Sequence, residues 1–177
     1  MSLKMKVSEK EKLFTDLFSK NKGKIYRLCS AYLIDKTEVN DLFQEVMINV
    51  WNNIEKFRGE SQISTWVYRI AVNTAFMFNK KAKKNKELFL RFSPDSHPLN
   101  NKPEETGNEP SNEMIKILHQ TINTLANQDK IIISLVLEGL KYEEIGAITG
   151  LTLSNVGVKI NRIKSVLLKR MKEVQNG

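Results

Sequence analysis

The 28 Lys and Arg residues of this chain, set against 20 Asp and Glu, are compatible with a polyanionic partner. Between Thr152 and Leu167 the apolar side chains Val156, Ile160, Ile163 and Leu167 recur at helical spacing, so they share one buried face. The other side carries Ser154, Asn155, Val158, Lys159, Asn161, Arg162, Lys164 and Ser165. Short polar side chains exchange hydrogen bonds with base edges, and cations bind phosphates. A second cationic run, Arg69 followed by Lys80, Lys81, Lys83, Lys84 and Lys86, has Tyr68, Phe76 and Phe78 interleaved. That mixture suits a nucleic-acid backbone with stacked, exposed bases. Plainer readings stand beside both: a helical hairpin with a solvated charged face, and a solvated helix end whose aromatics belong to the core.

Catalytic groupings do not emerge. The histidines are His97 and His119, and no Cys or carboxylate cluster accompanies either at metal-ligand spacing. The single cysteine, Cys29, excludes an internal disulfide, and among Ile25, Leu28 and Tyr32 it reads as a buried, inert thiol. No GxGxxG and no phosphate loop occur. The expectation is a protein that is not an enzyme and takes no cofactor and no metal. No apolar run approaches the roughly 20 residues needed to span a bilayer, and no signal-peptide core follows the basic N-terminus, so a cytoplasmic location is expected.

The elements that must position these residues fall into two groups. All four prolines, Pro94, Pro98, Pro103 and Pro110, lie in one polar stretch, where a continuous helix is ruled out and too little apolar surface exists to offset ordering entropy. Residues 1–92 hold 18 basic and 10 acidic residues, residues 93–113 hold one and five, and residues 114–177 hold nine and five. The whole chain of 177 residues carries a formal net charge of +8. The sequence therefore predicts two basic modules, 1–92 and 114–177, joined by a flexible acidic linker at 93–113.

No segment shows sustained period-two alternation, so both modules are expected to be helical, making an all-α protein. Ser8-Glu9-Lys10-Glu11 reads as a capping box ahead of Leu13, Phe14, Leu17 and Phe18. A second helix is expected from about Lys24 to Leu33. A third follows Asp35, with Leu42, Val46, Val50 and Ile54 along its buried face. A fourth is capped at Ser64 or Thr65 and turns Trp66, Val67, Ile70, Ala71, Thr74 and Phe78 to one side. In the second module Met114, Ile115, Leu118, Ile122 and Leu125 form one stripe, and Ile131 to Leu137 a mostly buried helix. Tyr142 to Ile148 is a short helix, with Gly146 at a close crossing. Thr149-Gly150-Leu151 is its turn, and Thr152 caps the next helix. This is helix-turn-helix spacing, with Ser154, Asn155 and Val158 toward base edges and Lys159, Arg162 and Lys164 toward phosphates. Gly157 is at odds with a simple recognition helix, because a mid-helix glycine costs about 1 kcal/mol.

Two blocks of residues then resemble a family. Asp41-Leu42-Phe43-Gln44-Glu45-Val46, Trp51, Phe57-Arg58-Gly59-Glu60-Ser61, Thr65-Trp66-Val67-Tyr68-Arg69-Ile70-Ala71 and Asn73 resemble region two of extracytoplasmic-function (ECF) RNA polymerase sigma factors, of the sigma-70 superfamily. Leu125, Tyr142-Glu143-Glu144-Ile145-Gly146, Gly150-Leu151, Val156 and Arg162 resemble region four. The blocks follow in family order from about Leu13 to Met171. The resemblance implies a subunit that binds core RNA polymerase, recognises the minus-ten and minus-thirty-five promoter elements and directs transcription initiation. It implies that Asp41, Gln44 and Glu45 dock on the clamp of the polymerase largest subunit. It implies that the loop Phe57, Arg58, Gly59, Glu60, Ser61, Gln62 and Ile63 captures a flipped minus-ten base beside Trp66, Arg69 and Asn73. It implies that Ser154, Asn155, Val158, Lys159, Asn161, Arg162 and Lys164 meet the minus-thirty-five element. Implied partners are the core enzyme, including its flap, promoter DNA and an anti-sigma factor, with the linker threading the core enzyme's channels.

The chain departs from the family pattern at Gly157, where a basic residue is common. It departs also at Val158 and Asn161, and at Leu125-Ala126 in place of Leu-Pro. These departures bear on which promoter is read. The rival reading is a two-domain helix-turn-helix regulator that does not bind core polymerase. It would require a receiver-like or dimerisation module in residues 1–92, whose residues offer neither strands nor an acidic phosphorylation pocket.

Overall fold

The computed structural model describes residues 7–92 and 113–175. Every regular element among them is helical. The N-terminal group is α1 (Val7–Tyr32), α2 (Lys36–Asn53), a 3-10 turn (Ile54–Lys56) and α3 (Ile63–Phe92). The C-terminal group is α4 (Glu113–Asn123), α5 (Asn127–Leu137), α6 (Tyr142–Thr149) and α7 (Leu153–Gln175). Apart from Glu113, which opens α4, the expected linker lies outside the described residues, and so do all four prolines.

The first group has three long helices where four were expected. Helix continues through Gly23, so the segments expected on either side of it are one element, α1. Leu17, Asn21, Ile25, Leu28 and Tyr32 repeat at spacings of three and four and are all buried, giving one uninterrupted face. Packing along that face outweighs the roughly 1 kcal/mol propensity cost of one glycine. Helix already runs at Val7, so Ser8 lies inside the first turn rather than capping it. The start of α2 is as the sequence predicts: the Asp35 carboxylate accepts from the Thr37 and Glu38 N–H groups at 2.8 and 3.0 Å. By contrast α3 begins at Ile63, ahead of both expected caps, and the Trp66 N–H already bonds to the Gln62 carbonyl at 3.2 Å.

Leu42, Val46 and Val50 of α2, Ile25 and Leu28 of α1 and Val67, Ala71 and Ala75 of α3 belong to one buried hydrophobic core. The same core continues through Ile131, Ile132 and Leu135 of α5 to Ile145, Ile148, Val156, Ile160 and Ile163. Cys29 is buried as expected, and burial pushes its thiol up to about 12.

The two groups also touch. Helix α1 packs against α5, and α3 against α6. Arg27 forms a two-pronged ion pair with Glu138, its NH2 group 2.8 Å from Oε2. Arg69 directs Nε and NH2 onto the Ala147 carbonyl at 3.1 and 2.8 Å. Tyr68, grouped by sequence with the aromatics interleaved among cations, is instead 2% exposed, and its hydroxyl has no hydrogen-bond partner among the described residues.

Candidate nucleic-acid interface

A tight turn builds the C-terminal surface. Gly150 ends α6 in the left-handed region at φ +75°, and its N–H bonds to the Gly146 carbonyl at 2.9 Å. A Cβ on Gly146 would stand 2.8 Å from the Leu151 carbonyl oxygen, closer than packing allows, so this crossing requires glycine. Thr152 caps α7 by accepting from the Asn155 N–H at 3.3 Å, and the Glu144 carboxylate accepts from the Lys141 N–H at 2.8 Å at the start of α6.

Helix α7 then seats Val156, Ile160, Ile163 and Leu167 in the core. Ser154, Asn155, Val158, Asn161, Arg162 and Lys164 face solvent, as their spacing predicts. Val158 is 65% exposed, and Leu153, which opens α7, is 52% exposed. Sequence reading passed over Leu153, which took no place in the buried stripe. Gly157 has open space where a Cβ would lie.

Lys159 departs from the expectation. Its ammonium lies 3.3 Å from Asp129 Oδ1, and Arg162 NH2 lies 2.6 Å from Oδ2 of the same carboxylate. Asp129 belongs to the first turn of α5 and is buried. Lys159 is half-buried against that helix, whereas Arg162 stays largely in solvent. Spacing alone could not pair a carboxylate with cations 30 and 33 positions later.

On the N-terminal group, Phe57 closes the 3-10 turn, its N–H bonding to the Ile54 carbonyl at 3.2 Å. Its ring meets Trp66 with centroids 5.5 Å apart. Arg58, Gly59, Glu60, Ser61 and Gln62 form an exposed loop, and Gly59 adopts φ +74°. Ile63 and Trp66 are half-buried, and Asn73 is exposed. Phe57, Trp66 and the loop are thus brought together, while Arg69 reaches away to the Ala147 carbonyl. Lys80 and Lys81 are exposed on α3; the side chains of Lys83, Lys84 and Lys86 lie outside the described residues.

Asp41 and Gln44 are exposed on α2, and Glu45 is half-buried. Ile48, one turn on from Gln44 and Glu45 and 57% exposed, adds an apolar member to this acidic face. Sequence reading missed it because the buried stripe of α2 is complete without it. Glu45 and Asn73 line one groove of about 320 Å³ between α2 and α3, with Asn49, Thr74 and Met77. Asn49 there donates to Thr74 Oγ1 at 3.1 Å. Among the described residues no cluster of His, Cys, Asp and Glu is placed to hold a metal ion, and no helix is long and apolar enough to cross a membrane.

Residues 17–85 match the family model for sigma-70 region 2, and residues 115–167 that for sigma-70 region 4. The ECF RNA polymerase sigma-E factor of Haemophilus influenzae is 32% identical over 165 residues, spanning 89% of this chain and 86% of the relative. The sigma-E factor of Escherichia coli is 29% identical over 164 residues, spanning 89% and 85%. Among solved structures, the sigma factor RpoE of Bartonella quintana in complex with the anti-sigma factor NepR superimposes with a TM-score of 0.70 at 18% identity, covering 91% of this chain and 98% of that one. CnrH in complex with the cytosolic domain of CnrY gives 0.65 at 16% identity, covering 92% and 90%.

Proposed function

The chain belongs to the ECF class of RNA polymerase sigma factors, in the sigma-70 superfamily, and from that membership we propose which of its surfaces meet polymerase and which meet promoter DNA. The α2 face of Asp41, Gln44 and Glu45 docks on the clamp of the polymerase largest subunit. Its exposed Ile48 supplies the apolar centre that a polar docking surface needs. The loop Phe57–Ile63 receives a flipped minus-ten base. Flipping costs a few kcal/mol of stacking, which the Phe57–Trp66 pair offsets by offering aromatic surface at the loop's edge. Asn73 and Arg69 flank the melted strand, Arg69 only after it leaves Ala147.

At the other end α7 enters the major groove of the minus-thirty-five element. Ser154 and Asn155 meet base edges, and Val158 offers an apolar surface suited to a thymine methyl group. Arg162 and Lys164 bind phosphates and fix register. The observation that carries this assignment is the solvent-facing row Ser154, Asn155 and Val158 at the N-terminal end of a helix seated by the Gly146–Gly150 turn. The protein works in the cytoplasm without catalytic chemistry of its own, contacts the polymerase flap through its C-terminal group and is held in check by an anti-sigma factor. The structural relative RpoE, solved in complex with the anti-sigma factor NepR, supports that last point.

A randomised duplex library tests the orientation of α7. Asn155→Ala changes which sequences are retained, at about 1–3 kcal/mol per lost base contact. Arg162→Ala weakens all sequences alike and lowers the salt slope by about one. Identical selectivity profiles for the two variants would overturn the assignment.

A further inference from the structure

Asp129 holds the cations of α7 in a way that bears on how the helix discriminates among sequences, given the reading of α7 as the DNA-facing helix. Its side chain is 9% exposed, and burying a carboxylate is costly unless it is paired. Three features offset the cost. Asp129 sits in the first turn of α5, where the helix dipole favours negative charge. Oδ1 takes the Lys159 ammonium at 3.3 Å, and Oδ2 takes Arg162 NH2 at 2.6 Å.

The two cations fare differently. The Lys159 side chain is 25% exposed and is drawn against α5, whereas that of Arg162 is 63% exposed and bonds to Asp129 through NH2. One carboxylate against two cations leaves a single net positive charge on this flank of α7, and Arg162 is the group that presents it.

We propose that Asp129 is a specificity-determining positioning residue, which withdraws Lys159 from the DNA backbone and fixes Arg162 as the one phosphate anchor on that flank. Each phosphate contact strengthens binding to every sequence equally and adds about 0.9 to the slope of log K against log salt. Withdrawing Lys159 therefore trims the sequence-independent attraction and leaves a larger share of the binding to Ser154, Asn155 and Val158.

The test uses the full chain, with a random-sequence duplex as probe, from about 50 to 200 mM KCl. Lys159→Gln removes the cation and keeps a side chain of similar length. It should leave the salt slope unchanged, because Lys159 makes no phosphate contact, and a slope lowered by about one would overturn the proposal. Asp129→Asn releases Lys159. The slope should steepen by about 0.9, binding should tighten several-fold at the lowest salt, and enrichment from a randomised library should broaden. Adding Lys159→Gln to Asp129→Asn should restore the original slope. A folded Asp129→Asn chain with an unchanged slope and only a lower unfolding midpoint would make Asp129 a pin between α5 and α7 and overturn the proposal. Failure of every chain to bind duplex would instead refute the DNA-facing reading of α7. The placement of Lys159 is then still read without DNA, from its ammonium proton resonance. Slow solvent exchange in the original chain, lost in Asp129→Asn, supports the withdrawal, and fast exchange in both refutes it.

Discussion

Tyr68 buries a hydroxyl with no partner among the described residues, and an unsatisfied buried polar atom costs about 1–3 kcal/mol. Tyr68→Phe should therefore raise stability by about 1 kcal/mol, read as a higher urea midpoint at unchanged m-value, and a lower midpoint would show that the hydroxyl is satisfied in solution. Gly157→Ala should also stabilise by about 1 kcal/mol, since among the described residues nothing outside its own helix backbone and chain neighbours lies within 4 Å of the added Cβ. Loss of duplex binding by that folded variant would reveal that DNA approaches the α7 backbone at this point. Cys29 sets a pH limit. Burial raises its thiol from 9.0 to about 12, so the fold holds the proton more tightly than the unfolded chain does. Its contribution is intact below pH 9 and is lost as pH rises from 9 toward 12, at up to about 1.4 kcal/mol per pH unit. Cys29→Ala should flatten the alkaline limb of a stability–pH curve, and an equally steep limb would assign it to other groups. At this scale spacing identified the outward row of α7 and the inert cysteine. It did not reveal Tyr68 or Asp129, whose environments are made by residues far away in sequence.

At the scale of elements, the acidic face of α2 permits a clean separation of binding from folding. Asp41 and Glu45 lie outside the stripe of Leu42, Val46 and Val50, so replacing both with Arg should change stability by under about 0.5 kcal/mol. The double variant should retain its helicity and lose co-purification with core polymerase; core binding by the folded variant would remove this face from the interface. Two features of the elements were legible because their signals are local: the Asp35 cap of α2, and the Gly150 turn with its Thr152 cap. The continuity of α1 was not, because a glycine reads as a break and only the buried face from Leu17 to Tyr32 overrides it. The start of α3 was likewise missed, since neither Ser64 nor Thr65 is needed to begin it.

At the scale of the molecule, two modules on an acidic tether of about 20 residues would stand some 25 Å apart on average if the chain between them were free. In the structure they touch instead, through α1 with α5 and α3 with α6, an arrangement that charge counts could not anticipate. The Arg27–Glu138 pair and the Arg69–Ala147 bonds lie across this contact, so on the proposed reading Arg69 meets a melted strand only after the modules part. Glu138→Arg places two cations together and should raise the radius of gyration above the roughly 16 Å expected of a compact chain of this length. Combining it with Arg27→Glu should restore the smaller value. An unchanged radius in the single variant would show that this pair does not hold the modules together. The central claim, that this chain gives core polymerase its promoter choice, is tested most directly by transcription with purified core enzyme on a library of randomised upstream sequences. Reading the transcript starts should reveal discrete initiation below two selected elements, absent without the chain and absent with the Asp41→Arg, Glu45→Arg variant. Initiation indistinguishable from that of core polymerase alone would contradict it.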